Sequence, residues 1–231
     1  MNQELAVKTI FMASTWVVPV LLAITLHEAA HGFVAHKCGD DTAWRLGRVS
    51  FNPLKHIDLF GTILLPGMLL FLHAPFLFGY AKPVPVKFGA LRNPRRDMVW
   101  VAAAGPATNL LLATAAALLV HFVDLLPTGV DQWFLQNLKN AIVINVVLAV
   151  FNMVPLPPLD GGRVAVGLLP NVLAIRLARV ERYGMLIIIG ALFILPMLGT
   201  QFGIDLNVVG WLIGEPVDAV IWIILHITGI A

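Results

Sequence analysis

The sequence predicts an all-α polytopic membrane protein, and three observations carry that expectation. Hydrophobic residues make up 59% of the 231 residues and mean hydropathy is +0.87, against an apolar share of about 45–50% in soluble domains. Only 12% of the residues are charged, about half the usual share. The apolar residues also gather in runs of the length that a hydrocarbon core of about 30 Å requires of a helix, about 20 residues. About five transmembrane helices are expected, with a re-entrant or sixth apolar segment and a short membrane-associated β-strand or hairpin near the active site.

The first apolar run covers about 6–37 and contains Pro19, which should kink or break it. No small-residue cleavage pattern follows a short apolar core, so this segment is expected to be retained. The polar stretch 38–58 carries Arg45, Arg48 and Lys55, and 49–53 has the look of a short strand ended by a turn. Residues 60–80 are apolar but interrupted by Gly61, Pro66, Gly67, Pro75 and Gly79, poor material for a straight span. GYAKPVPVKFGALRNPRR follows, then a long apolar helix over about 98–123 and a polar connection over 124–139. A span over about 141–154 leads into PLPPLDGGR, a segment with Arg176, Arg179 and Arg182, and two last spans near 183–198 and 208–227. The whole is read as one domain, with a catalytic core over about 6–182 and a C-terminal helical hairpin over about 183–231.

Net charge is only +2, and the basic residues lie in loops beside spans, a pattern that reports orientation rather than nucleic-acid binding. Loops 37–58, 80–97 and 161–182 are basic and are placed in the cytoplasm, with 124–139 and 199–207 outside. Two consecutive cytoplasmic loops mean that 60–80 does not cross once, which suits a re-entrant hairpin lining a cavity. The alternative is a true span with one basic loop outside. The one cysteine, Cys38, excludes an internal disulfide and any Cys-based zinc site.

Within the first run stands LLAITLHEAAHGFVAH. Residues four apart share a helix face, so His27 and His31 can bind one metal, with Glu28 beside them as a base. Two imidazoles and a carboxylate on an apolar helix are costly unless compensated, and a metal is the natural compensator. Zinc needs a third protein ligand and an open position for water. The candidates are Asp160, Asp97, Asp58, His36, His56, His73, His121 and His226. His36 faces the wrong way, nine residues from His27. The longer HExxHxxGxxH pattern is absent, because Val34 and Lys37 occupy its last two positions. Asp160 is the strongest, since NMVPLPPLDGG and HEAAH both lie toward the cytoplasmic ends of spans running the same way. Its prolines break the helix, and Gly161 and Gly162 allow close approach where a side chain must be aimed into a cavity.

HEAAH, GYAKPVPV, AGPATNLLLA and FNMVPLPPLDGGR, in that order over about 10–170, resemble the site-2 protease family of intramembrane zinc metalloproteases. The resemblance implies His27, His31 and Asp160 as zinc ligands and Glu28 as general base. It implies Asn152 near the metal as a candidate oxyanion donor and Asn109, on the GPxxN motif, as a supporting residue. Gly79, Tyr80, Ala81, Lys82, Pro83, Val84 and Pro85 are read as an extended edge to which a substrate adds as a strand, with a plain rigid loop as the alternative. The chain is expected to be a compact member, with no PDZ-like domain in 124–139 and no nucleotide-binding module after 227. The apolar stretch 60–78 is longer than the membrane-inserted β-hairpin of other members.

The function expected is hydrolysis of peptide bonds in or near transmembrane segments, with Zn²⁺ as cofactor. Single-span membrane proteins are the expected substrates and lipid the surroundings, with self-association an option and no nucleic acid. The expected location is a bacterial or archaeal plasma membrane, the active site toward the cytoplasm. A non-catalytic membrane scaffold and a metal transporter are the competing classes.

Overall fold

The computed structural model describes residues 3–71 and 79–230. Its helices are α1 (Gln3–Lys37), α2 (Thr42–Arg45), α3 (Leu65–Phe71), α4 (Pro94–Val120), α5 (Val130–Asn152), α6 (Asp160–Leu168), α7 (Asn171–Ile189), α8 (Leu195–Phe202) and α9 (Val208–Thr228). A wider π-type turn, Gly190–Ile194, joins α7 to α8 without a break. Among the described residues, five helical stretches are long and apolar enough to cross a membrane: Val7–Lys37, α4, α5, Asn171–Phe202 and α9.

Helices α1, α4 and α5 pack against one another as a three-helix core. Small residues at their contacts make this possible: Ala23, Ala29 and Ala35 of α1 and Ala102, Gly105, Ala113 and Ala117 of α4 are all buried. Where lipid removes the hydrophobic drive between helices, close backbone approach and interhelical hydrogen bonds replace it. At the end of α1 remote from HEAAH, Asn140 Nδ2 donates to Thr15 Oγ1 at 3.0 Å and Trp133 Nε1 donates to Ser14 Oγ at 3.0 Å. A second cluster, including Ala117, Leu138, Ile142 and Ile224, seats α9 on α4 and α5. Pro19 lies inside an unbroken α1.

Several expectations are corrected. The polar connection expected over 124–139 ends at Gly129, because 130–139, Gln136 and Asn137 included, belong to α5. Gln136 Nε2 donates to Asn140 Oδ1, Asn137 Nδ2 to Trp133 O and Asn140 Nδ2 to Thr15 Oγ1. Residues 49–53 do not form a strand; Asn52 caps a short 3₁₀ turn over Pro53–His56 by accepting from Leu54 N. No strand occurs among the described residues, so the expected β-strand or hairpin is not seen there. Residues 79–87 are extended, with no ladder partner among the described residues. The basic stretch 161–182 is helical throughout α6 and most of α7, with Arg176, Arg179 and Arg182 spaced by three residues along α7.

The placement of 199–207 also differs. Leu212 and Pro216 of α9 line one surface with Met153 and Pro155, whereas at the other end of α9 the His121 Nε2–H donates to Thr228 O at 2.7 Å. Helix α9 therefore runs parallel to α4, and 203–207 sits at the end of the bundle where α5 finishes, opposite 121–129. Charge counting put both connections on one side. It failed because Asn171–Phe202, although long enough to cross, starts beside Arg95 and delivers the chain to α9 at that same end; Arg95 Nη1 donates to Asn171 Oδ1 at 2.6 Å.

Of the apolar stretch 60–80, the described part is a six-residue wide turn, Leu59–Leu64, and the seven-residue α3. At 1.5 Å per residue this reaches about 20 Å, short of a 30 Å core. Residues 72–78, and with them the candidate ligand His73, lie outside the described residues.

Candidate active site

The HEAAH turn of α1 meets the middle of α4, and Asp160 at the first turn of α6 reaches the same point. His27 Nε2 lies 3.1 Å from His31 Nε2, and Asp160 Oδ2 lies 3.2 Å and 3.3 Å from the two nitrogens. All three residues are buried, and they are the one such group of potential metal ligands among the described residues.

The far side of each ring is held. His31 Nδ1 is 2.7 Å from Val101 O, an acceptor-only carbonyl, so Nδ1 carries the proton and Nε2 is a lone pair. His27 Nδ1 is 2.5 Å from Asn109 Oδ1, which fixes the same tautomer. Two lone pairs and a carboxylate oxygen thus converge with no proton between them, an arrangement that calls for a cation at their centre. The spacing fits zinc: two ligand atoms at about 2.0–2.2 Å in tetrahedral geometry stand about 3.3 Å apart. A ring N–H donated to a fixed oxygen is the usual outer partner of such a ligand.

Glycines create the room. A methyl on Gly105 would lie 2.5 Å from His31 Nε2 and 2.6 Å from His27 Nε2. A methyl on Gly161 would lie 2.1 Å from Met153 O, and one on Gly162 would lie 2.2 Å from Pro157 N, so the turn that aims Asp160 closes only with glycine at both. Sequence reading recognised the glycines after Asp160. It missed Gly105, whose signal was its place in AGPATN, and Asn145, which carried none.

A cleft of about 470 Å³ is lined by His27, Glu28, His31, Tyr80, Ala81, Pro83, Val84, Asn152 and Asp160, among others. A smaller cavity of about 200 Å³ adjoins it and adds Gly79. Lys82 and Pro85 line neither cavity. Asn152 donates one N–H to Leu148 O at 2.9 Å and reaches the cleft from the end of α5. The other sequence candidates are employed elsewhere: Asp58 caps Leu59–Leu64, Asp97 accepts from Asn93 N, His36 bonds Asp41, His56 bonds Ser50 O, His121 bonds Thr228 O and His226 bonds Trp222 O.

The extended stretch 79–87 forms one wall. Tyr80 N donates to Gly61 O at 3.0 Å, Lys82 N to His56 O at 2.9 Å and Lys87 N to Asp40 Oδ2 at 2.6 Å. Val84 N, which the sequence offered as a donor open to substrate, donates instead to Glu28 Oε2 at 2.7 Å. Its side chain is 7% exposed and packs over Gly32, where no larger residue fits. The edge formed by Tyr80, Lys82 and Val84 is therefore committed to the protein.

Residues 128–196, which contain the PLPPLDGG turn, match the model of peptidase family M50. A Bacillus subtilis (strain 168) protein that bears the name zinc metalloprotease YwhC is 39% identical over 189 residues, 78% of this chain and 80% of its own. A Mycolicibacterium smegmatis protein named zinc metalloprotease Rip2 is 29% identical over 183 residues, 79% of this chain and 67% of its own. The Rip2 protein of Mycobacterium tuberculosis (strain H37Rv) is 28% identical over 141 residues, 61% of this chain and 52% of its own. No solved structure gives a significant match. With a relative so similar over most of both chains, and with the HEAAH and LDGG residues meeting at one point, the chain belongs to peptidase family M50, the site-2 protease family.

Proposed function

We propose that this protein is an intramembrane zinc protease, a single catalytic domain that cuts single-span membrane proteins in or near their apolar segments. The observation that carries the reading is the convergence of His27 Nε2, His31 Nε2 and Asp160 Oδ2 within 3.3 Å of one another, beside the Glu28 carboxylate. These three residues would hold zinc, which supplies a Lewis acid that polarises a peptide carbonyl and lowers the pKa of water to about 7. Glu28 accepts the proton of the attacking water and returns it to the leaving amine. Val84 N–H holds Oε2, leaving Oε1 for that proton. Asn152 donates its second N–H to the oxyanion as the carbonyl turns tetrahedral. Burial of the ligands excludes bulk water and strengthens each of these interactions.

A helical substrate has its carbonyls tied up and must be opened before attack. The stretch 79–85 offers its outward edge to an extended substrate, with Ala81 able to donate and accept and Pro85 able only to accept, while the edge carrying Val84 stays on Glu28. The re-entrant reading of this apolar stretch rests on its described part, 59–71, which is too short to cross by itself. The active site faces the cytoplasm of a bacterial or archaeal cell, because Arg95, Arg163 and Arg176 lie toward the end of the bundle nearest HEAAH. On a background without Cys38, Arg95→Cys and Asp205→Cys should label with an impermeant thiol reagent from one side and Asp131→Cys from the other. Equal labelling of all three from one side would remove this orientation.

Incubating membrane extracts with the wild-type protein should cut single-span proteins. Glu28→Gln should lose about 10²–10⁴-fold in rate while keeping its metal. Undiminished cutting by Glu28→Gln would refute the proposed base.

A further inference from the structure

Resting on the zinc-site reading, we propose that Asn145 is a positioning residue that fixes the metal-binding tautomer of His27 through Asn109. The polarity is set at a backbone carbonyl and passed inward. Ala141 O only accepts, so the Asn145 atom 2.8 Å from it is Nδ2, which donates. Asn145 thereby turns Oδ1 toward Asn109, and the atom it meets at 2.7 Å is Asn109 Nδ2. A second acceptor-only group, Ala23 O, holds that same end of the Asn109 amide at 3.2 Å. Asn109 must then face His27 with Oδ1, at 2.5 Å from Nδ1, and an oxygen without a proton requires the ring to donate. His27 carries its proton on Nδ1, and Nε2 is left as a lone pair toward His31 Nε2 and Asp160 Oδ2.

An amide's two ends are alike in shape, so the hydrogen-bond partners alone decide which way it points. Asn109 is fully buried and Asn145 is 2% exposed, which keeps bulk water from competing for these bonds. Without Asn145, only the longer bond to Ala23 O opposes reversal of Asn109. A reversed Asn109 presents N–H to His27 Nδ1, drives the ring proton to Nε2 and points an N–H where the metal must bind. His31 does not share this weakness, because its Nδ1 partner is the carbonyl of Val101, which cannot reverse.

The test uses the full chain in lipid nanodiscs with ¹⁵N-labelled histidine. Asn145→Leu should bind zinc about 10–100-fold more weakly in competition with a chelator, the range for loss of a ligand's outer partner. In the zinc-free protein its His27 ring should shift from the Nδ1–H toward the Nε2–H form by ¹⁵N NMR, while His31 stays Nδ1–H. Adding Asn109→Asp to Asn145→Leu should restore most of the affinity, because a carboxyl offers Nδ1–H an acceptor oxygen in either protonation state. If the leucine variant does not fold, Asn145→Thr serves: its hydroxyl bonds the carbonyl four residues back and stops short of Asn109. Unchanged affinity and tautomer would overturn the proposal, and so would a loss that Asn109→Asp does not repair, which would make Asn145 a packing residue. A wild-type chain that binds no zinc would overturn the metal reading, and the zinc-free tautomers would still decide the relay.

Discussion

The two walls of the cleft are built differently. On one side, α1, α4 and α5 hold His27 and His31 by buried bonds at 2.5 and 2.7 Å, with Gly105 packed so close that a methyl has no room. On the other, 79–87 is an extended segment suspended from single bonds to Gly61 O, His56 O, Glu28 and Asp40. Lys82 and Pro83 are exposed, and Arg48 braces their carbonyls at 2.8 and 3.3 Å from the surface. The helical wall has no slack and suits ligands that must keep their geometry through each turnover. The extended wall is tied at separate points along one edge, so a change at one of them should leave the helical wall and its ligands in place.

That contrast breaks first at Gly105. Gly105→Ala forces a methyl onto two pinned rings; overpacking costs about 1–3 kcal/mol, and with neither ring free to retreat the upper end applies. Zinc affinity should fall about 150-fold by chelator competition. Unchanged affinity would show that the helical wall yields more than its contacts imply.

The extended wall should respond more weakly, and in rate rather than in metal. Val84→Pro removes the N–H held by Glu28, a bond worth about 2 kcal/mol, so cleavage of a single-span peptide should slow about 30-fold with zinc retained. Lys82→Ala, which leaves every backbone bond of the stretch in place, should change the rate less than about twofold. Full activity in Val84→Pro would mean that the Glu28 contact is dispensable. Loss of zinc in the same variant would mean that the two walls are not independent.

Much of the site was legible in the sequence because its chemistry is local: HEAAH is one helical turn, and LDGG aims one side chain from a sharp break. The membrane class followed from composition. What sequence concealed depends on packing between distant segments. Asn145 reads as one more amide in a helix until α4 brings Asn109 beside it, and Val84 reads as a free donor until Glu28 is found 2.7 Å away. The direction of α9 was misread because run length and charge do not reveal at which end of the bundle a long apolar helix hands the chain on. Polarity likewise misled at 130–139, where Asn137 is buried within α5 rather than solvated in a loop.

Metal content of the purified protein tests the central claim most directly. With three protein ligands in place, the wild type and Glu28→Gln should each hold about one zinc per chain, Asp160→Ala should hold clearly less, and His27→Ala/His31→Ala should hold none. Stoichiometric zinc in the double variant, or its loss in Glu28→Gln, would contradict the assignment of His27, His31 and Asp160 as the metal centre.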